Sequence, residues 1–366
     1  MARGYQTVTV PLRENGYTVT IGDGLLAEMG TLMERWRGRR ACIITDSNVA
    51  PLYANALGNS LTATTIRSHV LTVPAGEDSK SLQQAGRLYD ELAAIHHERD
   101  EPIIALGGGV VGDLAGFVAA TWMRGVPFIQ CPTSLEADVD ASVGGKAAIN
   151  HAAGKNLIGA FHQPAMVCID VACLKTLEAR DFTAALSESV KHAILSGEEF
   201  LAWHERNVDE ILARQPAVMT ELIRRNCEVK AGFVAMDERE TASEGIGRAA
   251  LNLGHTIGHA LESASGGTLR HGEAVGMGLL AAMEAGVRWA GFPREDQGRC
   301  TALLRQVGHP VKCAQPPAPL RITELIGADK KVREGLVRLV IPTRLGEVIW
   351  RNGVSADELL DLLAWV

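Results

Sequence analysis

No stretch of this chain approaches the about 18 uninterrupted apolar residues that a membrane-crossing helix needs. Its first residues, Met-Ala-Arg-Gly-Tyr-Gln-Thr, hold no apolar signal core. Neither a spanning nor an exported protein is expected. Long basic runs are also missing, and the net charge is −7, from 36 basic and 43 acidic residues. That balance argues against a nucleic-acid or anionic-membrane surface, so any anion must be met by individually placed Lys and Arg. Seven cysteines, Cys42, Cys131, Cys168, Cys173, Cys227, Cys300 and Cys313, are odd in number and include no C-x-x-C pair. They read as reduced thiols, several of them small core residues, in a cytoplasmic protein. Internal repeats and low-complexity tracts are absent. What is present is 366 residues, 46% hydrophobic and 22% charged, enough for two domains with substantial cores.

The first half alternates short apolar runs with helical patterns. Val8–Val10 and Tyr17–Ile21 read as an opening pair of strands, followed by Arg40–Thr45, His69–Val73, Ile103–Leu106 and Phe128–Cys131. Ser81–His96 carries apolar residues at helical spacing. Such alternation predicts a parallel sheet with its ligand beyond the carboxyl ends of the strands, where the turns after Thr45, Val73 and Leu106 lie. From about Leu174 the pattern turns helical: Phe182–Leu195, Glu199–Leu212, Met219–Met236, Gly254–Ser265 and Gly272–Ala290. Ala314–Leu320, with three prolines, reads as a loop, and Leu336–Ile341 and Val348–Trp350 as short strands. The expected organisation is an α/β domain over 1–174 and a mainly helical domain over 175–366, with the active site in a cleft between them.

Gly107, Gly109 and Gly112 satisfy G-x-G-x-x-G after a strand and before a helix, the context in which backbone N–H groups can approach a dinucleotide phosphate. No acidic residue follows about 20 positions later, and the motif is not on the first strand, so a tight structural turn stays open as an alternative. Arg124, Asp140, Lys146, Lys155 and Asn156 follow closely and point to an anionic substrate. His255 and His259 form H-x-x-x-H, sharing a helix face, and His271 precedes Gly272-Glu273. Two or three histidines with one carboxylate make a usual zinc set, with a position left open for water or substrate. The zinc-protease glutamate is missing from the H-x-x-x-H. Glu188 and Lys191, at i and i+3, face the same way; taken alone they read as a solvated helical ion pair.

Together these blocks resemble the 3-dehydroquinate synthases, a family of sugar phosphate cyclases, over nearly the whole chain. The resemblance is carried by Pro74–Glu77 with Lys80, Gly107–Phe117, Met123–Gly125, Val139–Lys146, Gly154–Phe161, Glu188 with Lys191, Asn252–His259, His271–Glu273 and Asp329–Lys331. It implies a Rossmann-like NAD-binding α/β domain followed by a mainly helical metal-binding domain. It further implies that a seven-carbon keto-acid phosphate is turned into a carbocycle with loss of phosphate: NAD oxidises a secondary alcohol, phosphate leaves, the hydride returns, and ring opening with aldol closure completes the product. Glu188, His255 and His271 would hold one Zn²⁺ or Co²⁺, and His259 would face the substrate. Asp46, Glu77, Lys80, Gly108, Gly109, Asp113, Thr133, Ser134, Lys146 and Lys155 would hold NAD. Lys146, Asp140, Lys191, His259 and Asn252 would serve catalysis, with Asp140 and His259 as proton relays. Arg124, Lys155, Asn156, Lys230, Arg248, Lys330 and Lys331 would bind the sugar phosphate, Arg124 from across a homodimer interface.

The chain departs from the family pattern at Ser134, at Ala147-Ala148, at Ser187, Ser189 and His192 around the metal glutamate, and in a short insertion between Glu240 and Arg248. Three alternatives therefore accompany the main reading. One is a cyclase of the valiolone or deoxyinosose type, which Lys230, Arg248 and Asn252 argue against because a cationic cluster with no carboxylate to meet is costly to desolvate. Another is a metal-dependent polyol or glycerol-phosphate dehydrogenase, which would accumulate NADH. The last is a non-catalytic regulator.

Overall fold

The computed structural model describes residues 4–241, 245–310, 312, 321, 325–326 and 337–363. Lys330, Lys331, Cys313 and the Ala314–Leu320 segment lie outside these. By its internal contacts the chain divides into two compact units, residues 1–177 with 219–235, and 178–218 with 236–366.

The first unit is built on a seven-stranded sheet. In chain order its strands are β1 (Gln6–Val10), β2 (Tyr17–Gly22), β3 (Arg40–Asp46), β4 (Arg67–Val73), β5 (Ile103–Gly107), β6 (Phe128–Pro132) and, after a separate hairpin of β7 (Lys146–His151) and β8 (Gly154–Phe161), β9 (Met166–Asp170). The spatial order is β1-β2-β9-β6-β5-β3-β4, with only β1–β2 antiparallel. Alternate residues of the central strands enter opposite faces, which is why these strands read as continuous apolar runs. Cys42 and Ile44 join Ile103 and Ala105 under helices Leu82–Ala94 and Gly109–Thr121. Ala41 and Ile43 join Ile104 and Leu106 beneath helix Asn55–Ala63. Strand order reverses at β3, which has β4 on one side and β5 on the other. That switch point is where an open α/β sheet offers its ligand crevice, and Asp46 and the Gly107–Gly109 turn sit at the carboxyl ends of its strands.

The second unit is mainly helical: Ala179–Ser196, Glu198–Leu212, His255–Ala264, His271–Ala290, Arg294–Gln306 and Ala356–Leu363, with a hairpin of β10 (Val337–Arg344) and β11 (Glu347–Val354). Helices His255–Ala264 and His271–Ala290 approach closely because Gly278 has no side chain; a Cβ there would overlap the Gly254 carbonyl. Their shared core continues through Ile257, Leu261, Ala274 and Met277 to Leu339 and Ile341 of β10. Among the described residues six cysteines are free and buried, and no helix is long and apolar enough to cross a membrane.

Candidate active site

In the first unit, β5 ends at Gly107 and helix Gly109–Thr121 begins after the single residue Gly108, so the first-turn N–H groups of that helix open at the end of the sheet. Ser134 Oγ would stand 3.3 Å from a Cβ at Gly108, which puts Ser134 and Thr133 beside the turn. Thr133 N donates to the Gly107 carbonyl, 3.1 Å. Asp113, in the same helix, accepts from Lys80 Nζ at 2.6 Å, and Lys80 also reaches Asn156 Oδ1 at 2.5 Å. Glu77 joins through Asn150 Nδ2, 2.7 Å, while Asn150 Oδ1 accepts from Asn156 N, 3.0 Å. The structure thus gathers Glu77, Lys80, Asp113 and Asn156 into one network. Asn150 was not among the residues singled out from the sequence. Lys146 and Lys155 are exposed on the β7–β8 hairpin. Lys230 pairs with Asp140 Oδ1 at 2.8 Å and is 5% exposed. Asp46 Oδ1 accepts from the main chain of Asn48 and Val49 at 2.8 and 3.0 Å, closing the turn after β3. Arg124 is exposed, with φ 67°, and stands outside these networks.

In the second unit, helix Ala179–Ser196 carries Glu188 and Lys191, each 1% exposed, with Lys191 Nζ against Glu188 Oε2. The solvated ion pair suggested by spacing alone is therefore a buried one. Glu188 Oε1 lies 3.3 Å from His255 Nε2 and 3.6 Å from His271 Nε2. His259 belongs to the same cluster: one ring nitrogen from each of His255, His259 and His271 lies within 4.8 Å of the others. Burial alone would raise the Glu188 carboxyl, but Lys191 and then His255 outweigh it and hold it well below the usual carboxylate range. Burial lowers His255. His255 Nδ1 faces the Leu253 carbonyl at 3.1 Å, and His271 Nδ1 faces Glu262 Oε2 at 2.9 Å. A carbonyl and a carboxylate only accept, so a proton on Nδ1 of each imidazole satisfies them and leaves Nε2 for a ligand on the Glu188 side. In that tautomer both Nε2 atoms and Glu188 Oε1 offer lone pairs to one point, a donor set that suits a divalent cation in a three-ligand site with an open position. The residues present fit a divalent metal.

His271 is held by its surroundings. It opens helix His271–Ala290, and a Cβ on the following Gly272 would overlap the Ala184 carbonyl. Ser187 Oγ donates to the Gly272 carbonyl at 2.7 Å. Glu273 accepts from Arg180 Nε and Nη2 at 2.7 Å each and from Arg270 N at 2.9 Å, capping the helix start. In the same unit Arg248, 2% exposed, donates to the Glu238 carbonyl at 2.8 Å, and Asn252 Nδ2 donates to Glu240 Oε1 at 2.9 Å. Sequence reading passed over Glu262, although it stands at +3 from His259 and +7 from His255 on one helix face.

Fold and donor set define a class: an enzyme with a nucleotide-type parallel sheet in one unit and, in the other, a carboxylate and imidazoles arranged to take a divalent ion. Solved structures of that class match along the whole chain. A 2-deoxy-scyllo-inosose synthase, complexed with carbaglucose-6-phosphate, NAD⁺ and Co²⁺, superposes with a TM-score of 0.90 at 22% identity, covering 98% of this chain and 99% of that one. A 2-epi-5-epi-valiolone synthase from Streptomyces hygroscopicus, with NAD⁺ and Zn²⁺ bound, gives 0.87 at 25% identity over 97% of each chain. Within the class, the N-terminal and C-terminal models of 3-dehydroquinate synthase match residues 70–184 and 185–332. The 3-dehydroquinate synthase of Symbiobacterium thermophilum is 44% identical over 95% of this chain and 97% of its own length. That of Nitrosomonas europaea is 42% identical over 96% and 95%. The chain belongs to the 3-dehydroquinate synthase family.

Proposed function

We propose that the chain converts 3-deoxy-D-arabino-heptulosonate 7-phosphate into 3-dehydroquinate and inorganic phosphate, a step of the shikimate route to aromatic amino acids, with recycled NAD and one Zn²⁺ or Co²⁺. The observation that carries this reading is the identity of 42–44% to 3-dehydroquinate synthases over nearly the full chain. The valiolone and inosose cyclases stand at 22–25%, and a glycerol dehydrogenase from Schizosaccharomyces pombe at 17% with a TM-score of 0.63. We assign residues 1–174 to NAD binding and 175–366 to metal and substrate binding, in a cytoplasmic homodimer; the free, buried thiols support a reducing compartment.

When bound, NAD supplies a reversible hydride acceptor and the divalent ion a Lewis acid that lowers the pKa of a substrate alcohol. The protein's own part is to position a flexible polyanion. The Gly108–Gly109 turn and its helix N-terminus receive the dinucleotide phosphates, with Asp46, Glu77, Lys80, Asp113, Thr133 and Ser134 around the remaining groups. Glu188, His255 and His271 hold the metal. Lys146, Lys155, Asn156 and Arg124, with Lys191, Lys230, Arg248, Asn252 and Lys330 or Lys331, orient phosphate and carboxylate, making a multistep sequence nearly unimolecular. Asp140 and His259 relay protons, and the departing phosphate can itself accept one.

The test is phosphate release from 3-deoxy-D-arabino-heptulosonate 7-phosphate with NAD and Zn²⁺ present, absorbance at 340 nm being followed in parallel. Stoichiometric phosphate without net NADH is the expected result. Metal-loaded, NAD-saturated protein that releases no phosphate would overturn the reading, and accumulating NADH would favour the dehydrogenase.

A further inference from the structure

The two imidazoles facing Glu188 are oriented by different kinds of acceptor. His255 Nδ1 meets the main-chain carbonyl of Leu253 at 3.1 Å, a group that no substitution removes. His271 Nδ1 meets a side chain, Glu262 Oε2, at 2.9 Å. Glu262 lies on helix His255–Ala264, one turn beyond His259 and two beyond His255, while His271 begins the next helix. The contact therefore ties together two elements that both face Glu188. Glu262 is 17% exposed at its side chain and His271 28%, so the bond is shielded although it is not deeply buried.

We propose that Glu262 is a positioning residue for the metal: its carboxylate fixes the proton of His271 on Nδ1, turns Nε2 toward Glu188 Oε1, and makes that nitrogen a better donor. The proposal rests on Glu188, His255 and His271 being the metal set. A carboxylate cannot donate, so the imidazole has one tautomer available while the contact persists. Without it, His271 can rotate or place its proton on Nε2, and one of three ligands is lost for part of the time. Outer partners of metal-bound histidines typically set affinity over a 10–100-fold range.

The experiment compares Glu262→Ala, Glu262→Gln and Glu188→Gln with the unaltered full-length chain. The readouts are Zn²⁺ affinity by competition with a chromogenic chelator, the visible spectrum on Co²⁺ titration, thermal unfolding of the metal-free proteins, and NAD affinity. Glu262→Ala is expected to weaken metal binding by about 10–100-fold and shift the Co²⁺ bands, with metal-free unfolding and NAD affinity unchanged. Glu262→Gln, whose amide oxygen still accepts from Nδ1, should recover most of the loss. In a His271→Ala background Glu262→Ala should add nothing, since the effect runs through that ring. Unaltered affinity and spectrum in Glu262→Ala, with metal lost in Glu188→Gln, would overturn the positioning role and leave the metal set standing. Full metal binding in both variants would overturn the metal set itself.

Discussion

In the first unit a lysine stands between its answering groups: Lys80 Nζ is 2.6 Å from Asp113 Oδ2 and 2.5 Å from Asn156 Oδ1, and Asn150 links Glu77 to the same cluster. In the second unit Glu188 Oε1 faces the Nε2 atoms of two imidazoles whose Nδ1 atoms meet acceptors on the far side of each ring. One cluster is complete in opposite charges and hydrogen bonds. The other sets a buried glutamate–lysine pair against imidazole nitrogens. A network of the first kind is preorganised for a ligand that exchanges one set of polar contacts for another. A carboxylate and imidazoles gathered as in the second kind fit a divalent ion, and an ion bound only by the folded chain would add to its stability. Under the proposed function, the first cluster would exchange contacts with a cofactor and the second would hold an ion.

Removing Glu188 should have the largest effect. Glu188→Ala takes away a metal ligand and leaves Lys191 buried without its anion, a change that costs about 3–5 kcal/mol when a buried pair is broken. Activity should fall by roughly 1000-fold or more, as expected for losing several kcal/mol of Lewis-acid assistance, and elemental analysis after dialysis should find almost no bound metal. Retention of a full equivalent would erase the distinction between the clusters. Next comes Lys80→Ala, which deletes charge-assisted hydrogen bonds worth about 1.5–3 kcal/mol. NAD affinity by titration calorimetry should weaken roughly 10–100-fold while metal content stays unchanged; a parallel loss of metal would show the two networks are one.

The smallest effect concerns acid. Burial raises Glu273, but Arg180 and the Arg270 N–H outweigh it, so its folded pKa lies below the ordinary value of 4.5. The unfolded chain therefore binds this proton more readily, and the stability Glu273 contributes is full above about pH 4.5 and is lost as pH falls through the lower folded value. Thermal unfolding of the metal-free protein between pH 7 and pH 3 should show Glu273→Gln losing less stability on acidification than the unaltered chain. Because Arg180 is half exposed the difference should stay near 1 kcal/mol or less. Parallel pH curves for the two proteins would mean the ion pair does not brace His271.

Much of the first unit was legible because its strands are buried on both faces: Arg40–Thr45, Ile103–Leu106 and Phe128–Cys131 appear as β3, β5 and β6 with end shifts of one residue. The helix expected over Ser81–His96 runs Leu82–Ala94, and Ser81 Oγ caps it by accepting from Gln84 N. The β7–β8 hairpin was not anticipated. Much of its surface is exposed, so no apolar alternation marks it, and its basic residues drew attention as ligands instead. Strand β9, only five residues long, was also missed. In the Glu188 cluster, residue types pointed to the histidines and the family resemblance to Glu188, but neither told that the glutamate–lysine pair is buried, since i and i+3 spacing is the same on a wet face and a dry one. Partners such as Asn150 and Glu262 carry no motif. Their meaning comes from which tautomer or side chain they restrain, and only the folded chain brings those together.

Helix Pro216–Met236 has a consequence for how the protein is made. Its 219–235 stretch counts with the first unit, where Cys227 Sγ reaches the Asp138 carbonyl at 3.5 Å and Lys230 pairs with Asp140, although 178–218 counts with the second. At about 5–20 residues per second of synthesis, the sheet waits roughly 3–12 s after residue 177 has been added before its last helix is complete. A fragment ending at Leu177 would carry the glycine turn and Lys80 but leave Asp138 and Asp140 without the helix that meets them. The first unit is therefore finished by a later piece of chain, and a nascent sheet held for those seconds is where a chaperone or a protease would find this protein most vulnerable.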